Sequence, residues 1–225
     1  AFEIARFLVR ARLNPLRLRS NPPVSIITSD PPQHDAMRGI VNRGFTPRRI
    51  RDWQPRVEAL VAECMDALRA SPDFDVVRHL AVPLPVTIIA EMLGIEPGRR
   101  EDFKRWSDTT IRYTTGPGRA DRFDGEFIGA VGELTRYLRG VLLQRRKEPR
   151  DDLLSLLLRT QDGEDGLGDA EVILFVNLLL VAGNETTTNL IGNAVNALLE
   201  HPQQLARVAE DLSLVPALVE ETLRF

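Results

Sequence analysis

Apolar residues recur at helical rather than alternating spacing along almost the whole chain. After Thr46 and Pro47, one apolar stripe falls at positions i, i+3, i+4, i+7 and i+11, formed by Val57, Leu60, Val61, Cys64 and Leu68. Thr46 is a good N-cap and Pro47 suits the first helical position. We therefore predict a helix here, with Cys64 packed in its buried stripe as a small core residue.

The same spacing predicts further helices, separated by breaks that contain glycine or proline. They cover residues 86–93, 99–113, 121–147, 151–160, 169–200, 202–211 and 214–225. No internal repeat and no low-complexity linker divides the chain. The sequence therefore predicts a mostly α protein, with residues 1–225 in a single domain.

The predicted helix over residues 169–200 would be about 48 Å long and would be the central helix. Its middle reads Ala182-Gly-Asn-Glu-Thr-Thr-Thr-Asn189, a stretch whose low helix propensity costs about 4 kcal/mol relative to alanine. Such a conflict between propensity and pattern is typical of a functional site. Gly183 would let a flat or bulky ligand approach the backbone, and Glu185 beside Thr186 places an ionisable proton source next to a hydroxyl. The alternative is a Gly/Thr-rich helix contact.

A second group of polar residues lies near the start of the chain. Asp30 can cap a helix whose first position is Pro31. His34 and Arg38 are then spaced i and i+4, so both donors project from one face, as a site for one or two carboxylates requires. The alternative is a solvated surface pair.

Glu221 and Arg224 are spaced i and i+3 on a predicted helix and can pair, although many helices show this spacing by chance. The order of these motifs along the chain is more informative than each alone. The order is Asp30-Pro-Pro-x-His-x-x-x-Arg38, Gly44-Phe-Thr-Pro47, Ala182-Gly-Asn-Glu-Thr-Thr187 and Glu221-x-x-Arg224. In this order they resemble the soluble bacterial branch of the cytochrome P450 family, the heme-thiolate monooxygenases. The resemblance covers essentially the whole chain and implies the central part of the P450 fold.

The resemblance also implies a role for each motif. His34 and Arg38 would hydrogen-bond the heme propionates, and Ala182 with Gly183 would border the oxygen pocket as further cofactor-binding residues. The implied catalytic residues are Glu185 and Thr186, which would deliver protons during oxygen activation. The implied structural ion pair is formed by Glu221 and Arg224.

The sequence departs from the family at the metal ligand. P450s hold the iron through a cysteine thiolate in a Gly-rich loop well downstream of the Glu-x-x-Arg motif, and this sequence ends one residue after Arg224. Cys64 lies on a core stripe with no Gly-rich loop around it, so we assign no metal ligand. The family's amino-terminal sheet and its carboxy-terminal heme-ligand region are both missing. We therefore expect a fragment of a larger enzyme, not competent by itself.

Composition excludes several classes of partner. A net charge of −3 gives no overall basic surface for nucleic acid. A single cysteine excludes an internal disulfide framework and favours a cytoplasmic location. The longest apolar run, residues 172–182, is interrupted by Asn177 and is shorter than the roughly 20 residues that a bilayer requires, so we expect no membrane partner.

The implied activity is heme-dependent oxygenation of a small apolar molecule by O2. Electrons would come from a ferredoxin-type partner, because the sequence carries no flavin or nicotinamide fingerprint. Residues 80–86 and 113–127 would line the substrate pocket. The alternative is a heme-free α-helical remnant that acts as a ligand-binding or protein-interaction module.

Overall fold

A computed structural model describes residues 25–72, 75–115, 125–159 and 167–224. These residues form α-helices and contain no strand, which confirms the mostly α prediction. A π-helical turn, Val77–Ala81, precedes the third helix. The α-helices are Gln33–Gly44 (α1), Pro47–Ala70 (α2), Pro83–Met92 (α3), Arg100–Thr115 (α4), Gly125–Lys147 (α5), Leu153–Arg159 (α6), Asp169–Glu200 (α7), Pro202–Glu210 (α8) and Val215–Thr222 (α9).

Helix α2 begins as its sequence predicts. The Arg49 backbone N–H donates to Thr46 Oγ1 at 3.4 Å, so Thr46 caps the helix. Leu60 and Leu68 of the predicted stripe are buried. Cys64 is only half-buried, so the stripe is correct while the burial of its cysteine is less complete than we expected.

The predicted cap of helix α1 is wrong. The N-cap is Pro32, which has no side-chain capping bond, and the first helical residue is Gln33. Because Pro31 and Pro32 both precede the helix, the Asp30 carboxylate stands too early in the chain to occupy the N-cap. Asp30 contributes its backbone carbonyl instead, which accepts from the His34 N–H at 3.1 Å.

The described residues divide into two compact units. Those up to Pro55, together with Thr87–Val181, form unit 1, whereas Arg56–Val86 and the residues from Ala182 onward form unit 2. Helix α7 contributes residues to both units. The prediction of a single domain stays a prediction.

Unit 1 holds most of the large apolar core. Helices α4 and α5 pack together, and α6 contacts both α5 and α1. The contact between α1 and α6 is close at Gly44, where an added Cβ would lie 2.5 Å from Leu153 Cδ1. The large apolar side chains of unit 1 that are almost completely inaccessible are Ile40 from α1, Leu93 after α3, Phe103 and Trp106 from α4, Leu134, Leu138 and Leu142 from α5, Leu154 and Leu157 from α6, and Leu180 from α7.

Unit 1 also contains a buried ion pair, formed by Arg145 and Asp152. Arg145 and Asp152 are almost fully inaccessible, with Arg145 Nε 2.5 Å from Asp152 Oδ2. Arg145 Nη2 also donates to the Gly94 carbonyl at 3.0 Å. The other Asp152 oxygen accepts from the Ser155 N–H at 2.7 Å and so caps α6. The Arg145–Asp152 pair thus joins α5, α6 and the turn at Gly94. The φ of +69° at Gly94 favours glycine.

Helix α7 alone among the described helices is long and apolar enough, by length and composition, to cross a membrane. The core helix of a globular protein passes the same test, so this is weak evidence for a membrane span. The prediction that no membrane partner exists stays a prediction.

Candidate functional site

The centre of the candidate site is the exposed flank of α7. Ala182 and Thr186 lie one helical turn apart and are both exposed. Thr186 Oγ1 donates to the Ala182 carbonyl at 2.6 Å, which is the bond to the fourth preceding residue that threonine makes inside helices. This flank therefore carries small side chains and the Thr186 hydroxyl, whose hydrogen is already donated to the Ala182 carbonyl.

Gly183 and Glu185 lie beside this flank and are half-buried. Among the described residues, no hydrogen bond or ion pair to the Glu185 carboxylate is found. The carboxylate is therefore available to a group outside the described chain. Because Gly183 has no side chain, the helix backbone next to Ala182 can be approached closely.

The opposite flank of α7 is buried and hydrogen-bonded. Asn184 is only 4% exposed. Thr188 Oγ1 lies 2.9 Å from the Ala81 carbonyl oxygen and 3.2 Å from Asn184 Oδ1. Our sequence reasoning did not identify these residues as a contact between segments, because the Ala81 partner is 107 residues away along the chain.

His34 and Arg38 lie on α1 in unit 1, one turn apart as predicted. His34 Nδ1 is 3.0 Å from Asp35 Oδ1. Asp35 therefore competes with any ligand carboxylate for the Nδ1 proton, and while Nδ1 of a neutral ring donates to Asp35, Nε2 carries no hydrogen to donate. Arg38 is exposed, with no hydrogen bond from its guanidinium to another described residue, so its donors can reach a ligand.

Glu221 and Arg224 form the predicted ion pair, with Arg224 Nη1 3.1 Å from Glu221 Oε2. Both side chains are largely exposed, so the pair by itself contributes little to stability. Glu221 also borders a cavity of about 670 Å³ within unit 2, between the end of α7, α8 and α9.

The predicted residues are thus brought together only in part. Four of them lie close together on α7 in unit 2: Ala182, Gly183, Glu185 and Thr186. A separate pair in the same unit is formed by Glu221 and Arg224. His34 and Arg38 share one helix in unit 1.

No protein metal site is found in the described residues, which contain no group of three or more His, Cys, Asp or Glu side chains able to hold an ion. Burial, together with the nearby Glu63 charge, raises the pKa of the Cys64 thiol. The thiolate is the form that binds iron, and a raised pKa disfavours it; that this chain provides no metal ligand stays a prediction.

Taken separately within each unit, two groups of residues have the chemistry that parts of a heme require. Arg38 and His34 are the donors that two propionate carboxylates require. Ala182, Gly183 and Thr186 give α7 a flank that a flat ring can approach, and the buried hydrogen bonds of Asn184 and Thr188 lie on the other flank. This donor set matches the chemistry of the cofactor without supplying its iron ligand.

The structure describes only part of the two segments predicted to line the substrate pocket. Residues 116–124 of the predicted segment 113–127 lie outside the described residues. In the segment 80–86, Ala81, Leu84 and Val86 are buried, and Ala81 contacts Thr188.

Comparison with known proteins supports the motif analysis. The family model for cytochrome P450 matches residues 127–225. Cytochrome P450 107B1 of Saccharopolyspora erythraea is 39% identical over 200 residues, which cover 89% of this chain and 47% of that protein. Vitamin D(3) 25-hydroxylase of Pseudonocardia autotrophica is 40% identical over 208 residues, covering 92% of this chain and 49% of the hydroxylase.

Solved structures agree in fold as well as sequence. Cytochrome P450 CYP109Q5 from Chondromyces apiculatus superimposes with a TM-score of 0.80 at 46% identity, covering 92% of this chain and 50% of that one. Substrate-free CYP109E1 from Bacillus megaterium gives a TM-score of 0.82 at 37% identity, covering 90% and 53%. The chain spans about half the length of the curated relatives it matches. Over about nine-tenths of its length the chain is similar to proteins of the cytochrome P450 family.

Proposed function

We propose that this chain forms the α7 and propionate-binding part of a heme-dependent monooxygenase that oxygenates a small apolar molecule with O2. The observation that carries the proposal is the exposed flank of α7, where Thr186 is bonded to Ala182 and lies next to Glu185. The names of similar proteins, which include a vitamin D(3) 25-hydroxylase and an erythromycin C-12 hydroxylase, support oxygenation as the reaction. No observation favours the heme-free alternative.

Bound heme would supply the iron that activates O2. The chain's own contribution is the control of protons. Because the Thr186 hydrogen points to the Ala182 carbonyl, Thr186 Oγ1 offers its lone pairs to a donor on the exposed side, such as a water. Glu185, the adjacent residue, can supply the proton that such a water passes on.

His34 and Arg38 would hold the cofactor at its edge. A hydrogen bond between a charged donor and a carboxylate contributes about 1.5–3 kcal/mol. Arg38 donates without competition from a described residue, whereas His34 must first release Asp35 or act as an imidazolium. Arg38 is therefore the larger contributor of the two.

The remaining assignments follow from the family. Electrons would come from a ferredoxin-type donor, and the protein would work in the cytoplasm, as soluble bacterial relatives suggest. Glu221 and Arg224 would act as a structural pair.

The catalytic assignment is tested in a completed chain, made by joining these residues to the parts of vitamin D(3) 25-hydroxylase that they do not match. Thr186→Val keeps the volume and the β-branch but deletes the hydroxyl. We expect oxygen consumption to continue, with more peroxide and less oxygenated product per reducing equivalent, while Glu185→Gln mainly slows turnover. Thr186→Ser, which keeps the hydroxyl, is the control. An unchanged product ratio in Thr186→Val, with heme content intact, would contradict the assignment.

The cofactor-binding assignment is tested by heme retention. Replacing both His34 and Arg38 by alanine in the completed chain should lower the heme content measured after dialysis. Arg43→Ala is the matched control, because Arg43 lies on the same helix and bonds to its own Gly39 carbonyl. Full heme occupancy in the double variant would show that His34 and Arg38 are solvated surface residues and do not hold the cofactor.

A further inference from the structure

The turn before α3 contains a buried carbonyl with no donor in its own helix. Ala81 is 0% exposed. Ala81 is the last residue of the π-helical turn, and outside the regular helix hydrogen bonds no described backbone N–H donates to its carbonyl. The residue that would donate in an α-helix, four positions later, is Pro85, which has no N–H. A buried carbonyl left without a donor is costly, so a partner from elsewhere in the chain is required.

Thr188 supplies that partner. Its Oγ1 lies 2.9 Å from the Ala81 oxygen and 3.2 Å from Asn184 Oδ1. A hydroxyl has one hydrogen, so the carbonyl and the Asn184 amide oxygen compete for it. The shorter distance and the lack of another local donor favour Ala81. We call this contact the Thr188 bridge.

The flank that carries the bridge is continuous along α7. Asn184, Thr188 and Gly192 are spaced i, i+4 and i+8 and therefore share one side of the helix. At Gly192 an added Cβ would lie 3.8 Å from Val77 Cγ2. The π-helical turn Val77–Ala81 thus packs along this flank, and only Thr188 hydrogen-bonds to it, as far as the described residues show.

The bridge is opposite the candidate catalytic flank. At 3.6 residues per turn, side chains two positions apart are about 200° apart around the helix axis. Thr186 and Thr188 therefore project to opposite sides. Fixing Thr188 to Ala81 fixes the rotation of α7, and with it the direction in which Thr186 and Ala182 face.

We propose that Thr188 is a positioning residue, whose bond to the Ala81 carbonyl sets the rotation of α7 and so orients the Glu185–Thr186 pair. The orienting role rests on the proposed function of that pair. The bridge itself does not, because it can be measured without heme. The two partners of the bridge are the Thr188 hydroxyl and the buried Ala81 carbonyl.

The first experiment measures amide hydrogen exchange on the 225-residue chain without cofactor. Thr188→Val keeps the shape but removes the donor, and we expect exchange over residues 182–193 to become about tenfold faster or more. Thr188→Ser should restore protection. Gly192→Ala, which alters the same flank without touching the bridge, should leave exchange at Thr188 and its neighbours no faster. Equal exchange in Thr188→Val and the unchanged chain would overturn the bridge.

The second experiment measures product formed per reducing equivalent in the completed chain. Thr188→Val should lower this ratio at full heme content, and Thr188→Ser should restore it. If Thr186→Val lowers the ratio but Thr188→Val does not, the positioning role is wrong while the proposed function stands. If neither variant lowers it although exchange in Thr188→Val is faster, the bridge stands as a structural contact, and both the catalytic assignment of Thr186 and the orienting role fall.

Discussion

Replacing Asp152 by alanine is expected to destabilise unit 1 more than the loss of any exposed ion pair. The Arg145 side chain is 1% exposed and that of Asp152 is 5% exposed. After the substitution, the guanidinium keeps the Gly94 carbonyl at 3.0 Å but loses the only carboxylate paired with it in the described chain. An uncompensated charge is then left in a site that solvent does not reach.

The expected loss of stability follows from the two contacts of the Asp152 carboxylate, the ion pair with Arg145 and the cap on the Ser155 N–H. Removing one member of a buried ion pair costs about 3–5 kcal/mol. The lost cap on the Ser155 N–H, now 2.7 Å from Asp152 Oδ1, adds about 1 kcal/mol. Asp152→Asn keeps a capping acceptor but still leaves the Arg145 charge uncompensated, so it should cost about 3–5 kcal/mol, without the additional loss of the cap. Because domains are stable by only about 5–15 kcal/mol, each change is a large fraction of the total.

Urea unfolding followed by tryptophan fluorescence measures this loss selectively. Both tryptophans, Trp53 and Trp106, belong to unit 1, so the signal follows the unit that contains the pair. Arg146→Met is the matched control, because Arg146 is the next residue and pairs with Asp169 at 2.6 Å with both side chains more than 40% exposed. We expect that control to cost at most about 1 kcal/mol.

A double-mutant cycle separates the ion pair from the cap. Arg145→Met combined with Asp152→Asn should cost less than the sum of the single changes, by at least about 1 kcal/mol, because neither variant group then leaves the other charged and buried. The reasoning is refuted if the two single changes add within error. It is also refuted if Asp152→Ala costs no more than Arg146→Met.

Three further predictions concern single positions. A hydrogen bond from Trp106, and a second one from Arg105, lower the pKa of Glu133. Glu133→Gln should therefore reduce stability near pH 7 by less than about 1 kcal/mol, and the difference should vanish as pH falls through the lowered pKa, measured by urea unfolding between pH 7 and pH 3. Gly94→Ala should destabilise unit 1 by more than 1 kcal/mol, because φ is +69° and the new Cβ would overlap the Asp152 side chain; an unchanged urea midpoint would contradict this. Gly192→Ala should raise the thermal midpoint, because its Cβ meets only ordinary contacts and the change stabilises the helix by up to about 1 kcal/mol. A lower midpoint would show that the flank is more tightly packed.

Local features of the fold could be predicted because they depend on neighbouring residues. The 3.6-residue spacing and the glycine and proline breaks placed α7 at residues 169–200, which are its observed bounds. The Thr46 cap and the Thr186 bond to Ala182 were predictable for the same reason, because each involves groups three or four positions apart. The Asp30 cap was wrong because both prolines precede the helix, which begins at Gln33, and the sequence does not show where after Asp30 the helix starts.

Contacts between distant segments could not be predicted in this way. Arg145 pairs with the Gly94 carbonyl 51 residues away, and no local pattern connects them. One indication of the Thr188 bridge is present in the sequence, because Pro85 cannot donate an α-helical hydrogen bond to the Ala81 carbonyl. It does not show which residue provides the donor. In the candidate site, the motif residues were therefore predictable and the contact that orients them was not.

The low-propensity centre of α7 can now be divided according to which flank each residue occupies. Asn184 and Thr188 are poor helix formers, but their polar groups hydrogen-bond on the buried flank and link it to the Ala81 carbonyl. Packing therefore accounts for their presence. Thr186 and Asn189 are exposed, and the only hydrogen bond of Thr186 among the described residues is to its own helix. Their helix-propensity cost is not offset by any contact between segments. A requirement outside packing is the remaining reason for a hydroxyl at Thr186, and that requirement is the one the Thr186→Val experiment measures.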